Sequence, residues 1–326
     1  MKYVNFGRAG VKVSRIALGL GLRGQGDQAE AERLISHAID RGINLIACAN
    51  IYGVMDDRRY RGVSEQILGR VLKGRRHEVV ITSKFTSPVG DGPNDSGGSR
   101  YHVMRAVEDS LQRLQTDHID VYLAHGFAET TPIEETVRAL DDLVRHGKVL
   151  YVGCCNFQAW QVCHALWVAD RLKARPFICV QNEYNLLTRG PEQELFGAVR
   201  KFGLGFMAYS PLAVGLLSGF YKPGEPAPKG SLWATIHRDA YPALMAGQVG
   251  NIVSAVLKSA ARIGKSPAQL SLAWLLSQPE VSVAISGSDT VEQLDDAIGA
   301  VGLELDQELI NELDDLSAML RNEMSV

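Results

Sequence analysis

Three side chains able to handle a proton each follow a short apolar run. Tyr52 comes after residues 43–46 in GINLIACANIYG, Lys84 ends the run in VVITSKF, and His125 ends HIDVYLAH. Further runs end in Asn156, in Gln181, in Tyr209 with Ser210, and in Gly287 with Ser288, while Ala47 closes the run that leads to Tyr52. A phenol held among such groups can be an acid, so the set points to proton chemistry on a small molecule. Each residue alone has an ordinary structural role: Lys84 as a solvated strand end, His125 as a satisfied buried imidazole, Asn156 as a turn residue. Their shared position, polar after apolar, argues for one site if the run ends converge.

The elements that would make them converge repeat along the chain. Runs at 16–20, 44–47, 79–84, 119–123, 150–154, 178–181, 205–208 and 281–285 number eight. Helix-period segments at 28–41, 65–72, 102–114, 133–146, 158–173, 192–202, 251–263 and 291–298 alternate with them. Strands alternating with helices imply a parallel sheet, and eight such units imply a closed (β/α)8 TIM barrel. Gly42, Gly147 and Gly203 each read as a left-handed helix cap before a strand. Thr131, Pro132 and Glu134 read as a capping-box start with proline at the first helical position, and Ser266 with Pro267 as another helix start. The hydrophobic stretches 3–6 and 11–13 suggest an N-terminal β-hairpin that caps one barrel end. The Gly/Pro-rich stretches 88–99 and 223–230 fall in long βα loops, which form the active-site face of such a fold. We therefore expect one domain over residues 1–326.

Composition narrows the partners. The chain has 326 residues, with 34 basic against 37 acidic side chains, so nothing suggests a nucleic-acid or membrane surface. The amino end lacks the apolar run of a signal peptide and no stretch of about 18 apolar residues occurs, which predicts a cytoplasmic protein. Five cysteines with no CxxC spacing fit reduced core thiols better than disulfides or a metal site. Cys48, beside the presumed site, reads as a small packing residue. Oligomeric state is not legible.

Several motifs resemble the aldo-keto reductase family over nearly the whole chain. GINLIACANIYG is similar to the family's GINFIDTADVYG, which places Tyr52 on the catalytic tyrosine and Ala47 where the family carries an aspartate. Lys84 falls on the catalytic lysine and His125 on the catalytic histidine. VGCCNFQAWQ resembles IGVSNFSAWQ, which puts Asn156 on the nicotinamide carboxamide, with Cys155 for the usual serine; Gln181 in VQNEYNLL takes the second contact. In MAYSPLAVGLLSG, Tyr209 corresponds to the ring that stacks on nicotinamide, and Ser210, Leu212, Gly215 and Leu216 to the pyrophosphate loop. The segment ISGSDTVEQLDDA offers Gly287, Ser288, Asp289 and Gln293 to the ribose end, and Asp296 resembles the adenine-contacting carboxylate.

The resemblance implies hydride transfer between NAD(H) or NADP(H) and a small-molecule carbonyl or sugar, with Tyr52 protonating the forming alkoxide. A free phenol titrates near 10, so a nearby cation such as Lys84 is needed, and His125 would donate to the substrate oxygen. Without the aspartate, Lys84 lacks its family counter-ion, with Asn50 as a nearby uncharged partner. An unpaired buried ammonium tends to lose its proton or swing to water. Three readings are ranked: a reductase or dehydrogenase, then an epimerase or lyase on the same scaffold, then a non-catalytic nucleotide-sensing barrel. No cation stands in the segment after the last strand, so NAD(H) should bind at least as well as NADP(H). The loop after Tyr52, with Asp56, Asp57, Arg58, Arg59 and Arg61, reads as a solvated charged loop, or as one whose arginine closes over an anionic substrate group. Residues 213–248, with Trp233, His237, Arg238 and Tyr241, are expected to form the other pocket wall and lid.

Overall fold

A computed structural model of the protein describes residues 1–22 and 25–321. A two-stranded antiparallel hairpin, β1 (Tyr3–Asn5) with β2 (Lys12–Ser14), precedes eight parallel strands. These are β3 (Ile16–Gly19), β4 (Leu45–Ala47), β5 (Val80–Phe85), β6 (Ile119–Ala124), β7 (Val149–Cys155), β8 (Cys179–Glu183), β9 (Gly205–Tyr209) and β10 (Val281–Ser286). Each pairs with the next, and β10 pairs back onto β3, so the sheet closes into the expected barrel.

Helices fill the connections: α1 (Gln28–Asp40), α2 (Val63–Val71), α3 (Arg100–Leu114), α4 (Ile133–Arg145), α5 (Ala159–Leu172) and α6 (Leu195–Phe202). Between β9 and β10 lie α7 (Leu232–Thr235), α8 (Tyr241–Ala246), α9 (Gln248–Arg262) and α10 (Pro267–Ser277); α11 (Val291–Ile298) and α12 (Gln307–Ser317) follow β10. Among the described residues no helix is long and apolar enough to cross a membrane.

The strands are buried on both faces, which is why they read as unbroken apolar runs. Alternate residues, among them Ala17, Leu45, Ala47, Val121, Leu123, Cys155, Cys179, Met207 and Val283, fill the barrel interior. The opposite faces, including Leu18, Ile46, Ile81 and Tyr122, join the larger core beneath the helices. Cys48, Cys154, Cys155 and Cys179 are buried free thiols.

The hairpin closes the end of the barrel where the strands begin. Phe6 is buried in the interior cluster, and Asn44 ties the hairpin to the wall by accepting from Ser14 N–H and donating to Lys12 O. Gly7 must be glycine: its φ is +60°, and a Cβ would lie 2.5 Å from Gly205 N and Ile178 O.

Helix boundaries follow the caps in most places. Gly42, Gly147 and Gly203 have φ of +85°, +72° and +63°, and Ser266 with Gln269 forms a capping box ahead of Pro267. The capping box expected at Thr131 does not form. Pro132 occupies the N-cap position of α4, with no side-chain hydrogen bond, so the proline lies one residue before the helix and not inside it.

Candidate active site

Strand alternation decides which way Lys84 points. On β5, Val80, Thr82 and Lys84 share the inner face, whereas Ser83 faces outward and its hydroxyl donates to Glu65 on α2. Lys84 is 1 % exposed, yet its ammonium is provided for. Nζ donates to the Cys48 carbonyl at 2.8 Å and lies 3.3 Å from the Tyr52 hydroxyl and 4.7 Å from its ring centroid. The carbonyl is steady because Cys48 continues the β4 pairing, its N–H bonded to Thr82 O at 2.9 Å. Burial acts to lower the Lys84 pKa, but Tyr52 first, then the thiols of Cys155 and Cys48, outweigh it and hold the value above that of an ordinary lysine. The amine is therefore an ammonium at neutral pH. It neither swings to water nor uses Asn50, whose carboxamide is buried with no hydrogen-bond partner among the described residues.

Tyr52 is held by the loop that leaves β4. Its N–H bonds Ala49 O, and its carbonyl accepts from Ser64 N–H at the start of α2. The following Gly53 is packed so tightly that a Cβ would stand 2.5 Å from Asp57 O, because the loop folds back on itself there. The edge of the Tyr52 ring meets His125, centroids 5.8 Å apart at 77°.

His125 stands just past β6, its N–H bonded to Phe85 O and to Thr86 Oγ1. Its Nδ1 is 3.1 Å from Ser87 Oγ. Burial first, then the charges of Lys84 and Arg58, push its pKa down to about 3, so the imidazole is neutral. A serine hydroxyl can donate to or accept from Nδ1, and in the tautomer in which it donates, Nε2 carries the ring proton and is the donor.

The carboxamides complete one side of the mouth. Asn156 donates from Nδ2 to His125 O at 2.9 Å and accepts from Tyr209 OH at 3.0 Å. Gln181 accepts a contact from Cys155 Sγ through Oε1, while its Nε2 is a buried donor with no partner among the described residues. Backbone strain gathers here too. Met55, Thr86, Asn156 and Ser210, in the segments after β4, β5, β7 and β9, all have positive φ, +91° for the β-branched Thr86. Such residues cost on the order of 1–3 kcal/mol each and tend to cluster at functional sites.

The remaining expected cofactor residues are placed as follows. In the loop after β9, Ser210, Ala213, Val214 and Gly215 all have positive φ, and the N–H groups of Gly215 and Leu216 bond the Leu212 and Ala213 carbonyls. Those two donors are spent inside the loop. After β10, Ser288 Oγ pairs with Ser286 Oγ, Asp289 N–H bonds Gln293 Oε1, and nothing crowds Gly287. Gln25, in the loop after β3, donates to Asp289 O and joins the two loops. Asp296 is engaged elsewhere: both its oxygens accept from Ser266 Oγ at the start of α10. The structure thus gathers Tyr52, Lys84, His125, Asn156, Tyr209 and, through Cys155, Gln181, and it leaves Asp296 outside that network.

Beyond Tyr52, Arg59 is committed to Asp57, Arg58 is exposed, and the Asp56 side chain lies outside the described residues. Trp233 and Tyr241 are buried against one another's segment, Trp233 donating to Val214 O, so they pack the long β9–β10 connection and do not line an open wall. Arg238 is at the surface beside Asp239. Ser87, Thr86, Gln25 and the Cys48 carbonyl belong to the site without having been singled out by sequence. Only Ser87 and Thr86 carried a signal, as polar residues just past a strand end.

A buried ammonium, a phenol, a neutral imidazole and an unpartnered carboxamide donor at the carboxyl end of a parallel barrel are what the motif resemblance leads one to expect. Comparison with known proteins agrees. The aldo/keto reductase family matches residues 15–318. "Uncharacterized oxidoreductase YrpG" of Bacillus subtilis (strain 168) is 36% identical over 327 residues, covering 97% of this chain and 96% of that protein. A "Probable voltage-gated potassium channel subunit beta" of Oryza sativa subsp. japonica is 34% identical, covering 90% and 89% of the two chains. One from Arabidopsis thaliana is 34% identical over 92% and 91%. The chain belongs to the aldo/keto reductase family and is an oxidoreductase of that type.

Proposed function

We propose that the protein is an NAD(P)(H)-dependent, cytoplasmic oxidoreductase, one domain over its whole length, that interconverts a carbonyl and an alcohol on an aldehyde, ketone or keto sugar. The observation that carries this is the buried Lys84 ammonium 3.3 Å from the Tyr52 hydroxyl, with the neutral His125 ring against the phenol. What supports a bound cofactor is the buried, unpartnered Gln181 Nε2, with the Asn156 and Tyr209 side chains paired beside it in the barrel order. Asn156, Gln181 and Tyr209 would hold the nicotinamide end, the loop from Ser210 to Leu216 the pyrophosphate, and Gly287, Ser288, Asp289 and Gln293 the ribose. When bound, the nicotinamide supplies or accepts the hydride.

The chain's own residues do the rest. Lys84 donates to the phenol oxygen, which leaves the phenol proton free to pass to a forming alkoxide and stabilises the phenolate that remains. His125 Nε2 donates to the substrate oxygen and fixes it near Tyr52. General acid catalysis contributes about 10² to 10⁴-fold, and a single oxyanion donor about 10² to 10³-fold. The missing aspartate is offset in part by the Cys48 carbonyl, which holds the ammonium without neutralising it.

The test is a turnover screen of aldehydes, ketones and sugars with NADH, NADPH and their oxidised forms, read by nicotinamide absorbance and product mass. Tyr52→Phe should abolish whatever turnover appears. A second reading is a non-catalytic nucleotide-sensing barrel, and the names of the two plant relatives, each a channel subunit, are compatible with a role without turnover; nucleotide binding without turnover of any substrate would support it. Isomerised product with no net nicotinamide change would point to the epimerase or lyase reading.

A further inference from the structure

The loop that leaves β5 turns against its own backbone preference. Thr86 is β-branched yet has a φ of +91°, a conformation that costs on the order of 1–3 kcal/mol and persists only where its surroundings hold it. Here they do. His125 N–H donates to Phe85 O at 2.9 Å and to Thr86 Oγ1 at 3.0 Å, and Gly97 N–H donates to Thr86 O at 2.8 Å.

The residue after the turn shows what that strain achieves. Had β5 continued as a strand, alternation would have sent Ser87 outward with Ser83 and Phe85. Instead Ser87 Oγ lies 3.1 Å from His125 Nδ1, and Pro88 favours an extended Ser87 backbone. Two successive hydroxyl groups thus meet one histidine, Thr86 at the main-chain N–H and Ser87 at the ring.

The direction of the ring contact follows from what each group has left. Ser87 Oγ has no second hydrogen-bond partner among the described residues, so a hydroxyl that accepted from Nδ1–H would leave its own proton unpaired within the protein. One that donates to Nδ1 uses that proton. The bond at one imidazole nitrogen sets the role of the other, so donation from Ser87 puts the ring proton on Nε2. The same ring meets the edge of Tyr52, centroids 5.8 Å apart, and holding its plane holds it beside the phenol. We propose that Ser87 is a positioning residue, which donates to His125 Nδ1, fixes the tautomer protonated on Nε2, and so keeps that proton available to the substrate oxygen. The role toward substrate rests on the oxidoreductase reading; the tautomer belongs to the protein alone.

The two parts can therefore be tested separately. In full-length protein labelled with ¹⁵N-histidine at neutral pH, ¹⁵N–¹H correlations through the ring tell which nitrogen is protonated, and the His125 signals among the eight histidines are those lost in His125→Asn. Wild type should show Nε2–H. Ser87→Ala should show exchanging tautomers and a kcat lowered by about tenfold, short of the roughly 10² to 10³-fold for removal of a whole oxyanion donor because the ring remains. Ser87→Thr, which keeps the hydroxyl, should restore both. A serine that merely packs would move stability but neither the tautomer nor kcat. Nδ1–H in wild type, an unchanged tautomer in Ser87→Ala, or a kcat within about twofold of wild type in that variant would each overturn the proposal. Absence of turnover with any carbonyl would instead remove the oxidoreductase reading and the role toward substrate with it, while the spectra still decide whether Ser87 sets the tautomer.

Discussion

Replacing Lys84 by methionine separates the charge of that side chain from its volume. The ammonium makes two polar contacts, to Cys48 O at 2.8 Å and to the Tyr52 hydroxyl at 3.3 Å, and is otherwise enclosed. Methionine keeps the packing and removes both. If Lys84 is what makes Tyr52 competent as an acid, kcat should fall by about 10² to 10⁴-fold, or roughly 3 to 5 kcal/mol, with KM within about threefold of wild type. Stability should move much less. The Cys48 carbonyl left without its donor costs about 1–3 kcal/mol, and relief from burying a charge returns a similar amount. The assay is steady-state nicotinamide absorbance at saturating substrate, beside urea unfolding of both proteins. A kcat loss below about tenfold in a protein of unchanged stability would refute the reasoning, because the phenol would then work without the ammonium.

Three other outcomes are expected. His125 has a folded pKa of about 3 against about 6.5 unfolded, so below pH 6.5 the unfolded chain binds a proton that the folded chain does not; stability is full above 6.5 and is lost as pH falls towards 3. His125→Asn should spare the protein up to about 3 kcal/mol of that loss at pH 4, seen as a narrowing gap between urea curves at pH 7 and 4, and an unchanged gap counts against the buried neutral imidazole. Residues 286–296 contain no lysine or arginine, so NADH should bind at least as tightly as NADPH in a fluorescence titration, and a strong preference for NADPH would reverse that assignment. Arg113→Met leaves the Glu65 carboxylate, with no exposed side-chain surface, without its cation, and should destabilise the fold by about 3 to 5 kcal/mol in urea unfolding; a change under about 1 kcal/mol would count against the pair as a buried ion pair.

The fold was legible because a parallel barrel buries both faces of every strand, which makes eight apolar runs stand out between helix-period segments. Less legible were α7 and α8, short helices whose Trp233 and Tyr241 look like lid residues until their mutual packing is seen. The C-terminal α12 escaped notice although Asp306 caps it. The side chains that gather at the barrel mouth could be named from where each run ends, since a barrel funnels those ends together. Their partners could not. The acceptor for Lys84 is a backbone carbonyl, which leaves no trace in residue type, and the carboxamide of Asn50 makes no hydrogen bond to the ammonium. Asp296 carries the expected residue type, and its contact with Ser266 at the start of α10 could not be read from the sequence.

The motif resemblance expects an aspartate at position 47, and the surroundings of Ala47 say what placing one there should do. Ala47 is 2 % exposed on the inner face, and its register partner on β5 is Thr82, whose hydroxyl is buried with no partner among the described residues. An ammonium has three donors, of which Cys48 O and Tyr52 account for two. Ala47→Asp therefore puts a carboxylate between an unpartnered hydroxyl and a cation with one N–H to spare. Its burial is compensated by both, and a counter-ion replaces a mere dipole next to Lys84. We expect kcat for a small aldehyde to rise by roughly tenfold with KM little changed, a fraction of what general acid catalysis can contribute. The pairing has its own control. In a Lys84→Met background the same substitution should bring no gain and should cost about 3 to 5 kcal/mol of stability, since the new carboxylate would be buried alone. If instead KM rises steeply in Ala47→Asp, the space beside Ala47 belongs to the substrate. A wild-type rate that the aspartate does not improve, with Lys84→Met still inactive, would show that the Cys48 carbonyl alone holds the ammonium well enough for catalysis.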